Sequence, residues 1–296
     1  MALPAILLGC SVCVAPSAPA DSTGQSSGAV AMEAAVDVKA GGTRVGDSSV
    51  LERRVEPIVS VQATKSVVIS VGVPVLFRDY ERDGDTSSAI VPGDASLSAD
   101  VRLVDIGGPV SHRVWLSPEL KAPTAPVALD EQGDPDASAL QPGCSSVMPR
   151  LAALYAFGQD VWTVQLRSSI AIPFAVREAP HRGTLATAGA DVVIDPWNAA
   201  ALRLGTWWLF ETSGADATGE SDPDSGGVTG YATIAMEARW TSYLRASASV
   251  DLPVVRALSG DQGPTPIGSF RLTGHWDVAG KAKEAPVMAS APALRY

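Results

Sequence analysis

Cysteine is nearly absent from this chain: Cys10, Cys13 and Cys144 are the only three among 296 residues. Three thiols cannot staple a secreted scaffold, and without a second ligand pair they do not make a zinc finger, so no metal or cofactor is expected. Histidine is equally scarce. None of His112, His181 and His275 stands beside a serine and an acid or amide at a spacing that suggests a nucleophilic relay. Basic residues are outnumbered, 22 Lys and Arg against 32 Asp and Glu, for a net charge of -10. That balance argues against nucleic acid as a partner, and no phosphate-cradling glycine loop is present. Long apolar runs are missing too. Although 46% of the chain is hydrophobic, nowhere do roughly eighteen consecutive apolar residues occur, so no membrane-spanning helix is expected.

What is present is alternation with a period of two. From Val30 onward the chain reads as strand throughout, with twelve segments near residues 30–39, 52–62, 66–77, 94–105, 111–121, 145–157, 160–173, 184–195, 199–211, 227–239, 242–255 and 266–278. They are longer than the usual soluble strand and match the roughly 9 to 11 residues that cross a bilayer at a tilt. The connections alternate in length. Residues 63–65, 106–110, 158–159, 196–198 and 240–241 are short; residues 40–51, 78–93, 122–144, 174–183, 212–226 and 256–265 are long. Short turns on one side and long loops on the other are the pattern of outer-membrane barrels, whose short side faces the periplasm.

The two parities of each strand differ in chemistry. Leu202, Leu204, Thr206, Trp208 and Phe210 alternate with Arg203, Gly205 and Trp207; Leu244, Ala246, Ala248, Val250 and Leu252 alternate with Arg245, Ser247, Ser249 and Asp251. The apolar parity is expected to be free of charge although 18% of the chain is charged, as a lipid-facing surface demands. The opposite parity collects Asp37, Arg54, Glu56, Asp100, Arg102, Arg113, Glu119 and Arg150 in the first half of the chain. In the second half it collects Arg167, Asp191, Arg203, Glu237, Arg245, Asp251, Arg271 and Asp277, with Glu33 and Arg239 in the same set. These residues are expected to line a lumen and to form the solute path. Glu33, Glu56, Glu119 and Glu237 interleave with arginines in the manner of salt-bridge ladders rather than acid and base pairs.

A soluble sandwich or barrel has the same period with its apolar side inward. Strand length, the loop alternation and aromatics near strand ends (Phe77, Tyr155, Phe157, Trp162, Trp197, Phe210, Trp240, Trp276) favour the membrane reading, because such rings gather at bilayer interfaces. The expected fold is therefore an all-β transmembrane antiparallel up-and-down barrel of about twelve strands over residues 30–278. Residues 1–29 read as a leader and flexible linker, in which Leu7-Leu8-Gly9-Cys10 is also a lipoprotein-like box, and residues 279–296 as an Ala/Pro-rich periplasmic tail. The acidic stretches 79–85 and 216–224 lack the spacing of a calcium loop. Val73-Pro74, Ile172-Pro173 and Leu252-Pro253 should mark strand ends at the rim, each with an arginine just beyond.

The stretch Leu120-Lys121-Ala122-Pro123-Thr124-Ala125-Pro126 resembles the Lys-x-Pro-Thr-Gly motif of the transporter-like outer-membrane barrels grouped with the meta-pathway phenol-degradation family, with Lys121, Pro123 and Thr124 matching and Ala125 in place of glycine. Leu140-Gln141-Pro142-Gly143, the repeated Pro-containing strand ends and the acidic Asp222 to Gly227 stretch add to the likeness. The resemblance implies a channel for passive uptake of small hydrophobic or aromatic compounds, without catalytic residues, with the segment before Val30 as a candidate plug. Its partners would be outer-membrane lipid, the barrel assembly machinery and a small solute. The other reading, from a different class, is a non-conducting barrel with a structural or surface-interaction role.

Overall fold

The computed structural model describes residues 31–45, 48–82, 85–126, 146–159, 161–176, 182–196, 199–215, 220–221, 225–241, 243–260 and 262–277. The proposed leader and Cys10, the tail, Cys144, Trp197, His181 and most of the loops 122–144 and 216–224 lie outside these residues.

Sixteen strand segments follow one another along the chain: β1 (Ala31–Val45), β2 (Ser48–Thr64), β3 (Val67–Gly72), β4 (Val75–Arg82), β5 (Asp85–Pro92), β6 (Ser96–Ile106), β7 (Ser111–Lys121), β8 (Ser146–Gln159), β9 (Trp162–Ala171), β10 (Phe174–Ala175), β11 (Leu185–Ile194), β12 (Ala200–Glu211), β13 (Gly227–Arg239), β14 (Leu244–Leu258), β15 (Gln262–Pro264) and β16 (Ile267–Asp277). Every pairing is antiparallel. The ladder runs β1-β16-β14-β13-β12-β11-β9-β8-β7-β6-β3-β2 and returns to β1, which closes the sheet into a ring. The remaining four segments extend members of that ring: β4 continues β3, β5 precedes β6, β10 continues β9 and β15 precedes β16. The protein is thus a closed twelve-strand antiparallel barrel. Closure removes the open edges that a flat sheet would present.

Burial along the strands is inverted relative to a soluble protein. Arg203 and Asp191 are 6% and 2% exposed, while Ile234 and Met236 are 56% and 60% exposed. Val59, Leu97, Leu166, Ile170, Leu204, Trp208, Phe210, Val250 and Phe270 also point outward. A contiguous apolar exterior of this kind is not tolerated in water, and it is what hydrocarbon requires. Aromatic residues flank it at both ends. Beside the turn after β8, Tyr155 stacks on Phe157 at 5.7 Å and Phe157 meets Trp162 edge to face at 6.2 Å, and exposed Trp240, Tyr243 and Trp276 lie at the same end. Phe174 and Phe210 mark the long-loop end.

Several sequence expectations change. Residues 40–45, 48–51, 78–82 and 85–92 are strand rather than loop. β1 and β2 stay paired from Met32↔Val61 to Val45↔Ser48, and β4 and β5 form a hairpin on β2. The wall is therefore taller on this side, and its outer part carries charge on its outward face. Arg53 forms an ion pair with Asp79 there, the two side chains 53% and 45% exposed, so the outward parity is not charge-free. Water above the bilayer solvates such a pair, which hydrocarbon would not. Residues 256–265 are also partly strand, since β14 runs to Leu258 and β15 pairs with β1.

The prolines mark interruptions in the wall, not its rim. Pro74 separates β3 from β4, Pro173 separates β9 from β10, and Pro253 sits opposite the register shift at Gly230/Tyr231. Lacking an N–H, proline cannot donate to the ladder, so it falls where pairing breaks or bulges. Arg78, expected near the outer surface beyond Pro74, instead points inward into a buried pair with Glu52.

Candidate functional site

The inward parity forms a wall of paired charges. On β1 and β2, Lys39 Nζ lies 3.4 Å from Asp37, and Arg54 lies 2.7 Å from Glu56. The register sets Asp37 opposite both Glu56 and Arg271. Ser117 donates to Asp100 at 2.5 Å, and the charges of Arg271, Glu119 and Arg150 act on that same carboxylate from β16, β7 and β8. Arg150 binds Glu119 at 2.9 Å across β8 and β7.

Further round the wall, Asp191 serves two arginines, Arg167 Nε at 3.2 Å and Arg203 Nη1 at 3.8 Å, and its own side chain is fully withdrawn from solvent. Such crowding needs room in the backbone. Gly205, directly opposite Asp191 in the β11–β12 register, supplies it, because a Cβ there would overlap the Asp191 carboxylate. Near the short-turn end, Arg239 joins Glu237 at 2.9 Å and Asp195 at 2.8 Å, and Arg245 stands opposite Arg239 in the β13–β14 register. Arg102 and Arg113 both reach Asp105, at 2.8 and 3.5 Å, and Arg102 also caps the β2–β3 turn by donating to the Lys65 carbonyl. Asp277 pairs through its backbone with Ala31; its side chain is outside the described set.

Ion pairs of this kind hold cross-strand register while keeping the interior hydrophilic. Removing one partner of a buried pair leaves an uncompensated charge, which is costly. Sequence reasoning missed Lys39, Glu52, Arg78 and Asp105, which belong to the same inner wall. Lys39 sat at the end of an expected strand and Arg78 in an expected loop, and correct strand ends would have placed both on the charged parity; Asp105 shares its parity with Val101 and Leu103 and turns inward only past the register shift at Arg102/Val104.

The lumen is not uniformly polar. An apolar group formed by Met148, Ala171, Leu185, Trp207, Leu209, Tyr231 and Ile267 lines it toward the long-loop end. Trp207 and Tyr231 stack there, with centroids 4.3 Å apart and planes 11° from parallel. The Trp207 indole N–H donates to Asp251 at 3.1 Å, and Thr233 donates to the same oxygen. Beside this group opens a pocket bounded by Asp37, Lys39, Arg167, Arg203, Trp207, Ser249, Asp251, Ile267 and Arg271. Its residues come from β1, β16, β14, β13, β12 and β9, one arc of the ring, so it lies along that half of the inner wall. A smaller pocket lies at Glu119, Lys121, Met148, Arg150 and Leu185.

The motif residues fasten the wall where β5 gives way to β6. Lys121 is buried beside the smaller pocket. Thr124 accepts a hydrogen bond from the Ala95 amide at 2.8 Å and donates to the Gly93 carbonyl, while the Ala125 amide donates to Asp94. Pro123 lies between them, half-buried. Ala125, standing where the motif has glycine, is buried in this clasp. Of the histidines, His112 bonds Tyr155 on the outer face at 2.8 Å, and His275 faces Glu33 in the β1–β16 register.

No family model matches the sequence, and no curated protein matches it. Solved structures do. An outer membrane channel from Pseudomonas putida F1 aligns with a TM-score of 0.66 at 14% identity, over 87% of this chain and 99% of that one. The translocator domain of the autotransporter NalP from Neisseria meningitidis aligns loosely (TM-score 0.44, 11% identity, 85% of this chain and 89% of that one). So does the P. putida toluene transporter TodX (TM-score 0.40, 8% identity, 86% and 92%). The fold of this chain is that of a twelve-stranded outer-membrane β-barrel.

Proposed function

We propose that the protein is a passive channel of the bacterial outer membrane, carrying small solutes along the ionic inner wall. The observation that carries this reading is the closed ring whose exterior is apolar and whose interior combines paired charges with an open pocket. A wall of this size lies between filled eight-stranded barrels and wide sixteen-stranded pores, so a narrow, selective path fits it better than a general sieve. The β4–β5 hairpin stands at the entrance on the long-loop side. The motif around Lys121, Pro123 and Thr124 and the stacked Trp207–Tyr231 pair both favour hydrophobic or aromatic solutes. No catalytic role is assigned, since the lumenal acids and bases are mostly set against one another, as Arg150 is against Glu119. Insertion would rely on outer-membrane lipid and the assembly machinery as partners.

Planar-bilayer recording tests the proposal. Protein shown to be folded by heat-modifiable migration on gels should give discrete conductance steps. Silence from folded protein would instead support a structural or surface-interaction barrel.

A further inference from the structure

We propose that the larger lumenal pocket binds aryl carboxylates, with the ring against Trp207 and the carboxylate among Arg203, Arg271 and Lys39. This deepens the channel reading and rests on it for its transport meaning, although binding itself can be measured without transport.

The argument begins with charge. Four cations, Lys39, Arg167, Arg203 and Arg271, border the pocket. Asp37, Asp191 and Asp251 stand against them, Asp100 lies in the field of Arg271 with Ser117 donating to it, and the first three are already engaged. Asp191 lies behind Arg167 and Arg203, which share it. Asp37 faces the Lys39 ammonium. Asp251 accepts hydrogen bonds from Trp207 and Thr233. Arg271 Nε is buried and makes no hydrogen bond within the described structure, so this guanidinium keeps a donor for a solute anion. The whole chain carries -10, so this cationic spot is a local arrangement and does not reflect composition. Guanidinium groups suit a carboxylate because their forked N–H donors match its two oxygens.

The second observation is the apolar wall on the same pocket. Trp207, Ile267 and Ala235 border it, and Trp207 is held flat by Tyr231 behind it and by Asp251 at its indole nitrogen. A rigid ring beside a cationic cluster selects a solute with a flat apolar body and one negative end. A cation meets repulsion there, and a small aliphatic anion leaves the ring surface unused.

Calorimetric titration of the intact protein, folded in detergent, with benzoate, benzamide, benzylammonium and acetate tests the assignment. Benzoate should bind about tenfold or more tightly than each of the other three, and Arg271→Gln or Arg203→Gln should each weaken it about tenfold, the loss expected for one charge-assisted contact. Trp207→Leu should weaken benzoate while leaving acetate unchanged. Arg203→Gln disturbs Asp191 and can impair folding; Arg271→Gln has no such ion pair to break and serves as the decisive variant. Equal binding of benzoate and benzylammonium, no benzoate binding by folded protein, or benzoate binding indifferent to Arg271→Gln overturns the proposal. Folded protein that conducts but ignores benzoate sinks the site and spares the channel; protein that binds benzoate yet never conducts sinks the channel and spares the site.

Discussion

Arg78 and Glu52 meet across β4 and β2 with Nη2 and Oε2 2.5 Å apart, their side chains 1% and 3% exposed. Arg78 Nε donates to the same oxygen at 2.6 Å, so two donors of one guanidinium converge on one carboxylate oxygen. Stripping either partner strands the other without water. Glu52→Ala is expected to destabilise the barrel by about 3–5 kcal/mol, read as a lower urea midpoint for unfolding from lipid vesicles. A midpoint within error of the parent would show that water reaches this corner.

The Arg53–Asp79 pair is the natural contrast, lying one residue along β2 but on the outer face and half-exposed. Exposed pairs contribute roughly 0–1 kcal/mol. Arg53→Ala should therefore leave the same urea midpoint nearly unchanged, and a loss as large as that of Glu52→Ala would mean that this face is buried against something.

Leu204 and Ile234 pair on the outer face near the middle of β12 and β13. Ile234→Arg places a charge against hydrocarbon and is expected to cost about 2–4 kcal/mol. The same substitution at exposed Ile90, on the hairpin beyond the wall proper, should cost much less. Equal costs at the two positions would contradict the assigned membrane span.

Gly205→Ala should displace the Asp191 carboxylate from Arg167 and Arg203, since the added methyl occupies its place. The expected outcome is a loss of about 1–3 kcal/mol in stability together with an altered single-channel conductance. Gly107, whose Cβ would meet open space, supplies the control: Gly107→Ala should leave both readouts unchanged.

Strand number, sheet closure and the orientation of the two faces were all legible in the period-two pattern, because hydrocarbon imposes a strict demand on every second residue. The height of the wall was not. Past the bilayer that demand lapses, so Arg53, Asp79 and Glu81 stand on the outer parity, and Gly41-Gly42 carries no side-chain signal at all. Proline positions were legible as interruptions, but whether pairing resumes beyond them depends on the neighbouring strand. After Pro74 it resumes because β2 is long enough to receive β4 in unchanged register. The alternation of charged and apolar positions was legible, although Lys39, Glu52, Arg78 and Asp105 escaped it. The pocket was not, since Lys39, Arg167, Trp207, Asp251 and Arg271 converge only through the curvature of the closed ring.

The ladder from Ala31↔Asp277 to Ala40↔Gly268 joins the first strand to the last. The seam is therefore made from the residues that leave the ribosome earliest and latest among the strands. Until β16 arrives, β1 and β14 each present an unsatisfied row of amides and carbonyls, which lipid does not tolerate and which invites pairing with foreign strands. Escort in the periplasm and zipping shut of this one joint become obligatory steps of biogenesis, and a chain cut short before Ile267 is expected to be a substrate for degradation rather than a smaller pore.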